Sequence, residues 1–348
     1  MNLDVLNKEQ HIAVTTIGGP MLVFAGAGSG KTRVLTYKIA YLIQEIGLPP
    51  ENILAVTFTN KASQEMKYRI GDLVDADLSS ISIGTFHSIG AQILRKHIHL
   101  LEYTNDFTIY DQADSRALIK NIIKKLDFDL KIFNPKSIQT RISQAKNEMN
   151  TVDDLKKIAL NVNDEKFVEI FEKYSQELQQ NNAVDFDDLL ILPLKLFKTN
   201  SSIHKFYQDK FQYVLVDEYQ DTNKPQFELV STLSSKHKNI FVVGDDDQSI
   251  YGWRGADISN ILNFQNVFQN AQVVKLEQNY RSTKNILEAA WNVVSKNQER
   301  SDKKLWTDND EGEKIDIIES LNEIDEANQV LNNIMSKSKE LKIKKDKF

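Results

Sequence analysis

The chain has 348 residues, of which 41% are hydrophobic and 26% are charged, so its composition is that of an ordinary globular protein with a sizeable core. It contains no cysteine, which excludes disulfide bonds, thiolate metal sites and a thiol nucleophile. The formal net charge of −6 argues mildly against binding nucleic acid through bulk positive charge, but a groove lined by a few well-placed groups needs no basic total.

The N-terminus carries no recognisable targeting signal. Residues 1–5 provide neither the basic nor the apolar region of a signal peptide. No apolar run approaches the ~20 residues that a membrane-spanning helix needs. Together with the absence of cysteine, these features predict a cytoplasmic protein.

Short apolar runs along the chain are typical of buried parallel strands. The runs are 21–24, 53–58, 213–216, 240–243 and, more weakly, 273–276. Each ends at a cluster of Gly, Asp, Thr or Gln, and ligands collect at the carboxyl ends of such strands. We therefore predict one α/β domain with a functional edge.

Glycine usage divides the sequence. Nine of the 13 glycines lie between positions 18 and 90, and none lies between 91 and 243. We expect that stretch to be rich in helix and poor in turns with positive φ. Within it, 111–182 is polar with apolar residues at helical spacing, as in Leu118, Ile119 and Ile122. This pattern predicts a small all-helical domain inserted between strands of one sheet.

After the last run the pattern changes again. We predict a helix over 283–296, a strand over 315–318 and a helix over 323–335. The final stretch, 337–348, carries six lysines and no apolar periodicity.

The strongest single motif is AGAGSGKT at 25–32, which follows a predicted strand and opens a helix over 33–44. Its glycines allow backbone N–H groups to surround phosphate oxygens at a helix N-terminus. Lys31 is expected to reach the β- and γ-phosphates, and the Thr32 hydroxyl to hold Mg²⁺. The alternative is a glycine-rich turn with a surface lysine. We predict that the whole loop binds nucleotide, through Ala25, Gly26, Ala27, Gly28, Ser29, Gly30, Lys31 and Thr32.

A buried strand over 213–216 ends in two carboxylates. We expect Asp217 to bind Mg²⁺ through water, opposite Thr32, and Glu218 to orient or deprotonate the attacking water. Alone, such a strand end is more often a pair of solvated charges. Paired with the phosphate loop, it predicts phosphoryl transfer from ATP with Mg²⁺ as cofactor.

Seven ordered segments resemble motifs of superfamily 1 DNA helicases of the UvrD/Rep/PcrA kind. They span essentially the whole chain in order and spacing, and they include a Q motif, motifs Ia, II, III and IV, a further DNA-contact motif and the segment that returns from an inserted domain. The segments are LNKEQ (6–10), TFTNKA (57–62), GTFHS (84–88), DFDDL (185–189), DEYQDTN (217–223), GDDDQSIYGWRGA (244–256) and LEQNYRS (276–282).

The resemblance implies roles for further residues. Gln10 would read the adenine base, Tyr280 would stack on it, and Arg33 would join the nucleotide site. Arg281 would contact the γ-phosphate and stabilise the transition state. Gln248 would act as a sensor between nucleotide and DNA. For Arg281 the alternative is an ordinary surface salt bridge.

Single-stranded DNA is held by aromatic faces together with phosphate contacts. Several aromatic and polar residues lie just past a predicted strand or in a loop, off any periodic apolar face. We expect Trp253 to be exposed, whereas Phe58 at a strand end could instead belong to the core. His87 lacks partners at metal-ligand spacing. The predicted DNA contacts are Phe58, Asn60, Thr85, His87, Phe186, Tyr251, Trp253 and Arg254.

The resemblance implies an α/β fold: a RecA-like P-loop NTPase parallel sheet with an inserted all-helical domain and a truncated second RecA-like domain. The expected units are 1–110 with 184–279, then 111–183, then 280–348. The function implied is an ATP-dependent helicase that moves 3′ to 5′ on single-stranded DNA and acts at duplex junctions. Two further family motifs are not found in 282–348, so we expect this chain not to unwind duplexes alone. A non-catalytic, nucleotide-dependent DNA-binding fragment is one alternative. A small-molecule kinase is another, although it leaves the aromatic residues unexplained.

Overall fold

A computed structural model describes residues 1–298 and 300–340, apart from the side chains at 254 and 340. Its centre is a six-stranded sheet with the order β3-β2-β6-β7-β1-β8, in which every pairing is parallel. Two short parallel strands, β4 and β5, pair separately. The strands are β1 (Met21–Ala25), β2 (Ile53–Thr57), β3 (Ser82–Thr85), β4 (Thr108–Ile109), β5 (Ala183–Val184), β6 (Tyr213–Val216), β7 (Ile240–Gly244) and β8 (Gln272–Leu276).

Helices cover both faces of the large sheet and form a separate block between β4 and β5. The helices are α1 (Lys8–Thr15), α2 (Lys31–Gln44), α3 (Asn60–Gly71), α4 (Phe86–His97), α5 (Gln112–Lys125), α6 (Pro135–Asn147), α7 (Val152–Ile158), α8 (Val162–Gln180), α9 (Asp188–Thr199), α10 (Ser201–Lys210), α11 (Lys224–Ser234), α12 (Ser259–Leu262), α13 (Phe264–Val267), α14 (Lys284–Val294) and α15 (Glu323–Glu340). No helix among the described residues is long and apolar enough to cross a membrane.

Alternate residues of the four inner strands, β2, β6, β7 and β1, enter two different cores. Leu22 and Phe24 pack with α4, α9 and α11 on one face of the sheet. Met21 and Val23 pack with α1, α2 and α3 on the other face. Because both faces are covered, these four strands are buried at every position, as is usual for parallel sheets. This packing holds the carboxyl ends of six strands together at one edge.

Most predicted strands are present, with two differences. β3 was not predicted as a strand, because its sequence Ser-Ile-Gly-Thr holds a single large apolar side chain and lies at the sheet edge. The predicted strand over 315–318 is wrong: these residues form no strand, and Ile317 is 95% exposed. An apolar run becomes a strand only where a neighbouring strand is available for pairing, and none lies beside it in the described part of the chain.

The glycine-free stretch is rich in helix, as predicted, but the expectation of few positive φ values there is wrong. Six non-glycine residues in it have φ between 47° and 65°. Most of them follow helices, where a left-handed residue terminates the backbone hydrogen-bonding pattern. Asn182 and Lys238, just after α8 and α11, are examples.

Helices α5 to α8 bury a core of their own. A buried ionic cluster joins this block to the start of α9. The ammonium of Lys146 lies 2.7 Å from the carboxylates of both Asp185 and Asp188. The Tyr174 hydroxyl donates to Asp185 at 3.0 Å. Burial alone would lower the Lys146 pKa, but the two carboxylates raise it, so the lysine is held charged.

Candidate nucleotide site and aromatic groove

The strand order separates two sets of candidate residues. β1 and β8 carry the phosphate loop and the segment with Tyr280, at one side of the sheet. β2 and β3 lead to Phe58 and Thr85, at the other side. Between them lie β6, which leads to Asp217, and β7, which leads to the loop with Gln248. The carboxyl edge of the sheet therefore holds one group of candidate residues at the β1 and β8 side and another at the β2 and β3 side, with Asp217 and Gln248 between them.

A cleft of about 490 Å³ opens at the β1 side of this edge. It brings together most of the residues predicted to bind or hydrolyse nucleotide, and adds one that was not predicted, Arg69. Asp217, Gln10 and three residues of the phosphate loop (Ala25, Gly26 and Ser29) are not among the lining residues. The lining is Ala27, Gly28, Gly30, Lys31, Thr32, Arg33, Arg69, Glu218, Gln248, Tyr280 and Arg281.

Two glycines of the phosphate loop are required by their surroundings. Gly28 and Gly30 have φ values of 69° and 94°. A Cβ at Gly28 would lie 2.7 Å from both Arg281 Cβ and Asn279 Nδ2, and one at Gly30 would lie 2.7 Å from Gln10 Nε2. The loop is thus closely packed by other parts of the site, which leaves its backbone N–H groups shaped for phosphate oxygens.

The catalytic candidates Lys31 and Glu218 form an ion pair, with Nζ 3.2 Å from Oε2. Glu218 follows β6 and has a φ of 49°, an uncommon conformation for a glutamate. Its backbone N–H donates to the Asp217 carboxylate at 3.0 Å. Burial, together with the charge of Glu218, raises the pKa of Asp217 to about 7. Such backbone strain and raised pKa values are typical of functional sites.

Gln220 connects the acidic strand end to the next loop. Its amide nitrogen donates to Glu218 at 2.9 Å, and its amide oxygen accepts from the backbone N–H of Asp245 at 3.0 Å. In that loop the Gln248 amide donates to the Asp245 carboxylate. The candidate base Glu218 and the candidate sensor Gln248 are therefore connected by three hydrogen bonds through Gln220 and Asp245.

Gln10 lies deep behind the phosphate loop. Its amide nitrogen donates to the Ser29 carbonyl at 3.0 Å, and its amide oxygen accepts from the backbone N–H of Asn7 at 3.2 Å, within the cap of α1. The nitrogen and the oxygen of the Gln10 side-chain amide are thus both engaged by the protein in this conformation. Reading an adenine through the same amide would require exchanging at least one of these bonds.

The segment with Tyr280 and Arg281 is attached to the phosphate loop. The Tyr280 N–H donates to the Gly28 carbonyl at 3.0 Å, and the Asn279 side chain donates to the Ala27 carbonyl at 2.6 Å. Both Tyr280 and Arg281 are exposed to solvent within the cleft. Exposure of the tyrosine ring leaves it free to stack on a base.

Arg69 and Asn279 are functional candidates that the sequence did not single out. Arg69 lies near the end of α3, lines the cleft and pairs with Glu65 at 2.5 Å. An arginine four residues after a glutamate on a helix is usually a surface pair, so only the fold reveals its position. Asn279 lies in the LEQNYRS segment (276–282), but the sequence predicted no role for it. Its contact with the phosphate loop makes it a candidate for holding that loop in place.

The predicted DNA-contact residues form two aromatic pairs at the β2 and β3 side. Phe58 stacks on Tyr251 with ring centroids 4.9 Å apart, and Tyr251 lies 6.4 Å from Trp253. Trp253 is 75% exposed, as predicted. His87 contacts Phe186 edge to face at 5.9 Å, and the Phe186 ring is half exposed. Phe58 is partly buried, so it supports the neighbouring Tyr251 ring while keeping some exposure.

The polar candidates have different surroundings. Asn60 is exposed at the start of α3. The Thr85 hydroxyl accepts from the backbone N–H of Ser88 and so caps α4. Burial lowers the pKa of His87, which keeps its imidazole neutral. Arg254 lies in a short turn after Trp253, and its side chain is outside the described part of the structure.

Thr32 and Asp217 suit a divalent cation of the hard type. Both offer oxygen donors, which Mg²⁺ prefers. Thr32 lies at the start of α2 beside the phosphate loop, and Asp217 is a buried carboxylate whose pKa is raised by burial. A cation near such a carboxylate would stabilise its ionised form. The residues present therefore fit the group that the sequence predicted.

Two family models match the chain. The UvrD/REP helicase N-terminal domain matches residues 6–269, and the UvrD-like helicase C-terminal domain matches residues 274–347. The chain therefore belongs to the UvrD/REP helicase family. Its parallel sheet agrees with the RecA-like fold that the sequence predicted.

Proteins from two staphylococci are similar in sequence to this chain. The chain is 48% identical over 330 residues to the ATP-dependent DNA helicase PcrA of Staphylococcus epidermidis, which covers 95% of this chain and 45% of that protein. It is also 48% identical over 333 residues to the protein of the same name from Staphylococcus aureus, covering 96% of this chain and 46% of that protein. The chain spans slightly under half the length of these relatives.

Proposed function

We propose that this chain is the nucleotide-binding part of an ATP-dependent DNA helicase that moves 3′ to 5′ on single-stranded DNA and acts at duplex junctions. One observation carries the proposal. The Lys31–Glu218 pair and the aromatic pairs lie at the same sheet edge, and the loop after β7 supplies both Gln248 and Tyr251. That loop offers a short physical connection between hydrolysis and DNA contact.

We further propose the division of labour within the cleft. The Lys31 ammonium exchanges its bond to Glu218 for one to the terminal phosphates. This exchange frees the Glu218 carboxylate, held by Gln220, to accept a proton from the attacking water. Mg²⁺ held by Thr32 and Asp217 would supply charge neutralisation at the phosphates. Arg281 stabilises the charge that develops during transfer.

The adenine end of the nucleotide is assigned to the part of the cleft near Tyr280. Tyr280 stacks on the base, and Arg33, which lines the same cleft, also contacts the nucleotide. Gln10 reads the base edge after releasing one of its present partners. Arg69 is a further candidate phosphate contact because its guanidinium lines the cleft.

Single-stranded DNA is assigned to the β2 and β3 side. Trp253 and Phe186 offer exposed faces on which bases stack, and stacking is tolerant of base sequence. Asn60 follows Phe58 closely in the chain and Thr85 shortly precedes His87, and both contribute polar groups for the DNA backbone. This arrangement explains how an acidic chain can hold DNA without a basic surface.

Three units are proposed: 1–110 with 184–279, the helical block 111–183, and 280–348. The named relatives are about twice as long as this chain. We therefore expect these 348 residues to bind nucleotide, to hydrolyse it slowly and not to separate duplex strands alone.

The decisive experiment measures ATP turnover by the purified chain with and without single-stranded DNA. Stimulation by DNA supports the helicase assignment. DNA binding that depends on nucleotide, without turnover, supports the alternative of a non-catalytic binding fragment. Turnover indifferent to DNA, with transfer of phosphate to a small molecule, would point to a kinase and overturn the proposal.

A further inference from the structure

Residues 300–307, here called the strap, follow α14 and contact both sides of the nucleotide site. The strap lies on the loop after β7 at one end and on the phosphate loop at the other. Neither the sequence motifs nor the proposed catalytic steps assign it a role.

At the first end, Lys303 is inserted among three consecutive aspartates. Its side chain is 3% exposed. The ammonium lies 2.9 Å from Asp245, 2.8 Å from Asp247, and within ion-pair distance of Asp246. Arg300 adds a two-pronged contact to Asp247, at 3.1 and 2.9 Å. Paired, hydrogen-bonded charges of this kind are strongly held once they are buried.

Without a positive charge between them, the three aspartates would repel one another. Their carboxylate oxygens lie within 4.8 Å of one another, a spacing that could hold a metal ion. Here the Lys303 ammonium supplies the compensating positive charge. Burial alone would lower the Lys303 pKa, but the carboxylates raise it, and Arg300 and Lys303 lower the pKa of Asp247 against the effect of burial. Lys303 and Asp247 are therefore held in their charged forms.

At the other end, the strap supports the nucleotide site. A Cβ at Gly26 would clash with the Leu305 side chain, so the two are closely packed. The backbone N–H of Asn279 donates to the Trp306 carbonyl at 2.7 Å, and the Thr307 hydroxyl donates to the Asn279 carbonyl at 2.8 Å. Asn279 in turn holds the phosphate loop at Ala27.

We propose that Lys303 is a positioning residue that couples the nucleotide site to the aromatic groove through the strap. The aspartates it holds begin the loop that continues to Gln248 in the cleft and to Tyr251 in the groove. A shift of the phosphate loop or of Asn279 on nucleotide binding is passed along the strap to that loop. This inference rests on the proposed function, since it needs both ligands.

The test measures thermodynamic linkage in the full 348-residue chain. The affinity for a fluorescent oligothymidylate is determined with and without a saturating non-hydrolysable ATP analogue and Mg²⁺. We expect the parent chain to show a ratio between the two affinities of about 5- to 150-fold, the usual range of coupling between sites. In Lys303→Met the ratio should fall to near one, while each ligand alone binds within roughly threefold of the parent, below the lower end of that coupling range.

Three further variants separate coupling from general damage. Lys304→Met removes the same charge from the exposed neighbouring side chain and should keep the parental ratio. Lys303→Arg keeps the charge and should restore part of it. If Lys303→Met lacks a cooperative thermal transition, Asp247→Asn replaces it and should lower the ratio while Asp245 and Asp246 still pair with Lys303.

The outcomes for the two proposals differ. A parent chain that binds neither ligand contradicts the proposed function itself. A parent chain that binds both ligands without linkage, or a folded Lys303→Met or Asp247→Asn variant that retains the parental ratio, overturns the role of Lys303 and leaves the proposed function intact.

Discussion

The Lys31 ammonium lies 3.2 Å from the Glu218 carboxylate, so the cation proposed to hold phosphate is paired with the acid proposed to activate water. Neither group is fully buried, and the pair lines an open cleft. A bound nucleotide would compete with Glu218 for this lysine. The ion pair therefore keeps the two groups from their separate roles until nucleotide arrives.

Replacing Lys31 with alanine should weaken Mg²⁺·ATP binding by about 1.5–3 kcal/mol, the scale of a hydrogen bond to a charged group. The variant removes the phosphate contact and leaves the Glu218 carboxylate unpaired in the cleft, which adds repulsion toward phosphate. Equilibrium titration with a fluorescent ATP analogue measures the change. Lys205→Ala, an exposed lysine on α10, is the matched control and should bind like the parent. If Lys31→Ala binds the ATP analogue as tightly as Lys205→Ala does, the assignment of Lys31 is refuted.

Glu218→Gln should abolish most ATP turnover and leave nucleotide affinity within a few-fold of the parent. The amide retains an acceptor for Gln220, which donates at 2.9 Å, but it cannot take a proton from water. Steady-state hydrolysis and nucleotide binding are measured on the same preparation. Glu169→Gln, an exposed glutamate of α8, controls for the change of charge. Parental turnover in Glu218→Gln would show that another group is the base.

Trp253→Ala and Tyr251→Ala should each weaken single-stranded DNA binding by about 1–3 kcal/mol, with little dependence on base sequence. The first substitution removes a largely exposed indole ring, and the second removes a ring that stacks on Phe58. Fluorescence anisotropy with oligothymidylate and oligoadenylate measures both effects.

Phe206→Ala is the control for the aromatic variants, because this half-exposed ring lies on α10 and contacts His97 and Tyr207, neither of which is a groove residue. It should bind DNA like the parent. If neither groove variant differs from Phe206→Ala, the aromatic groove is not the DNA site.

The central strands and the phosphate loop could be predicted because their information is local. A buried parallel strand is apolar at every position, as in β1 and β7, and glycines with a following Lys-Thr have few other uses. β3 lacks that signal because it is an edge strand with little apolar content. The apolar run over 315–318 has the signal but no described strand beside it.

Contacts between distant segments could not be predicted in this way. Lys303 lies in a polar stretch with no motif, and only the fold brings it within 2.9 Å of Asp245. Arg69 is similar, since its helical spacing to Glu65 predicts a surface pair. The hydrogen bond from the Gln10 amide nitrogen to the Ser29 carbonyl was also missed, because partners 19 positions apart leave no periodic pattern. A cytoplasmic location stays a prediction.

Lys146→Met should destabilise the chain by about 3–5 kcal/mol, because it leaves buried carboxylates without their partner. Asp185 and Asp188 each lie 2.7 Å from the ammonium, and the cluster joins the helical block to α9. Chemical denaturation measures the free energy of unfolding. Lys125→Met breaks a pair with Glu177 in which the lysine is exposed, and should cost only about 0–1 kcal/mol. Similar losses in both variants would argue against a special role for the buried cluster.

Lys38 should make the stability of the chain depend on pH above neutrality. This buried lysine of α2 donates to the backbone carbonyls of Val14 and Thr16, at the C-terminal end of α1. Its ammonium lies over the rings of Tyr213 and Phe241. Burial lowers the pKa of Lys38 from 10.5 to about 7. The folded chain therefore releases this proton near pH 7, whereas the unfolded chain keeps it up to about pH 10.5.

Between these two pH values the unfolded state binds more protons, so the Lys38 contribution to stability rises with pH, by at most about 1.4 kcal/mol per pH unit. Below pH 7 the lysine is charged in both states and the slope from this group vanishes. Lys38→Met lacks the titrating group, so the difference in unfolding free energy between parent and variant should shift in favour of the parent from pH 7 to pH 9.5. Urea denaturation at pH 6, 7, 8 and 9.5 measures it, with the exposed Lys8→Met as control. A difference that stays constant across this range would show that Lys38 keeps an ordinary pKa in the folded chain, with the two carbonyls and the aromatic faces compensating fully for its burial.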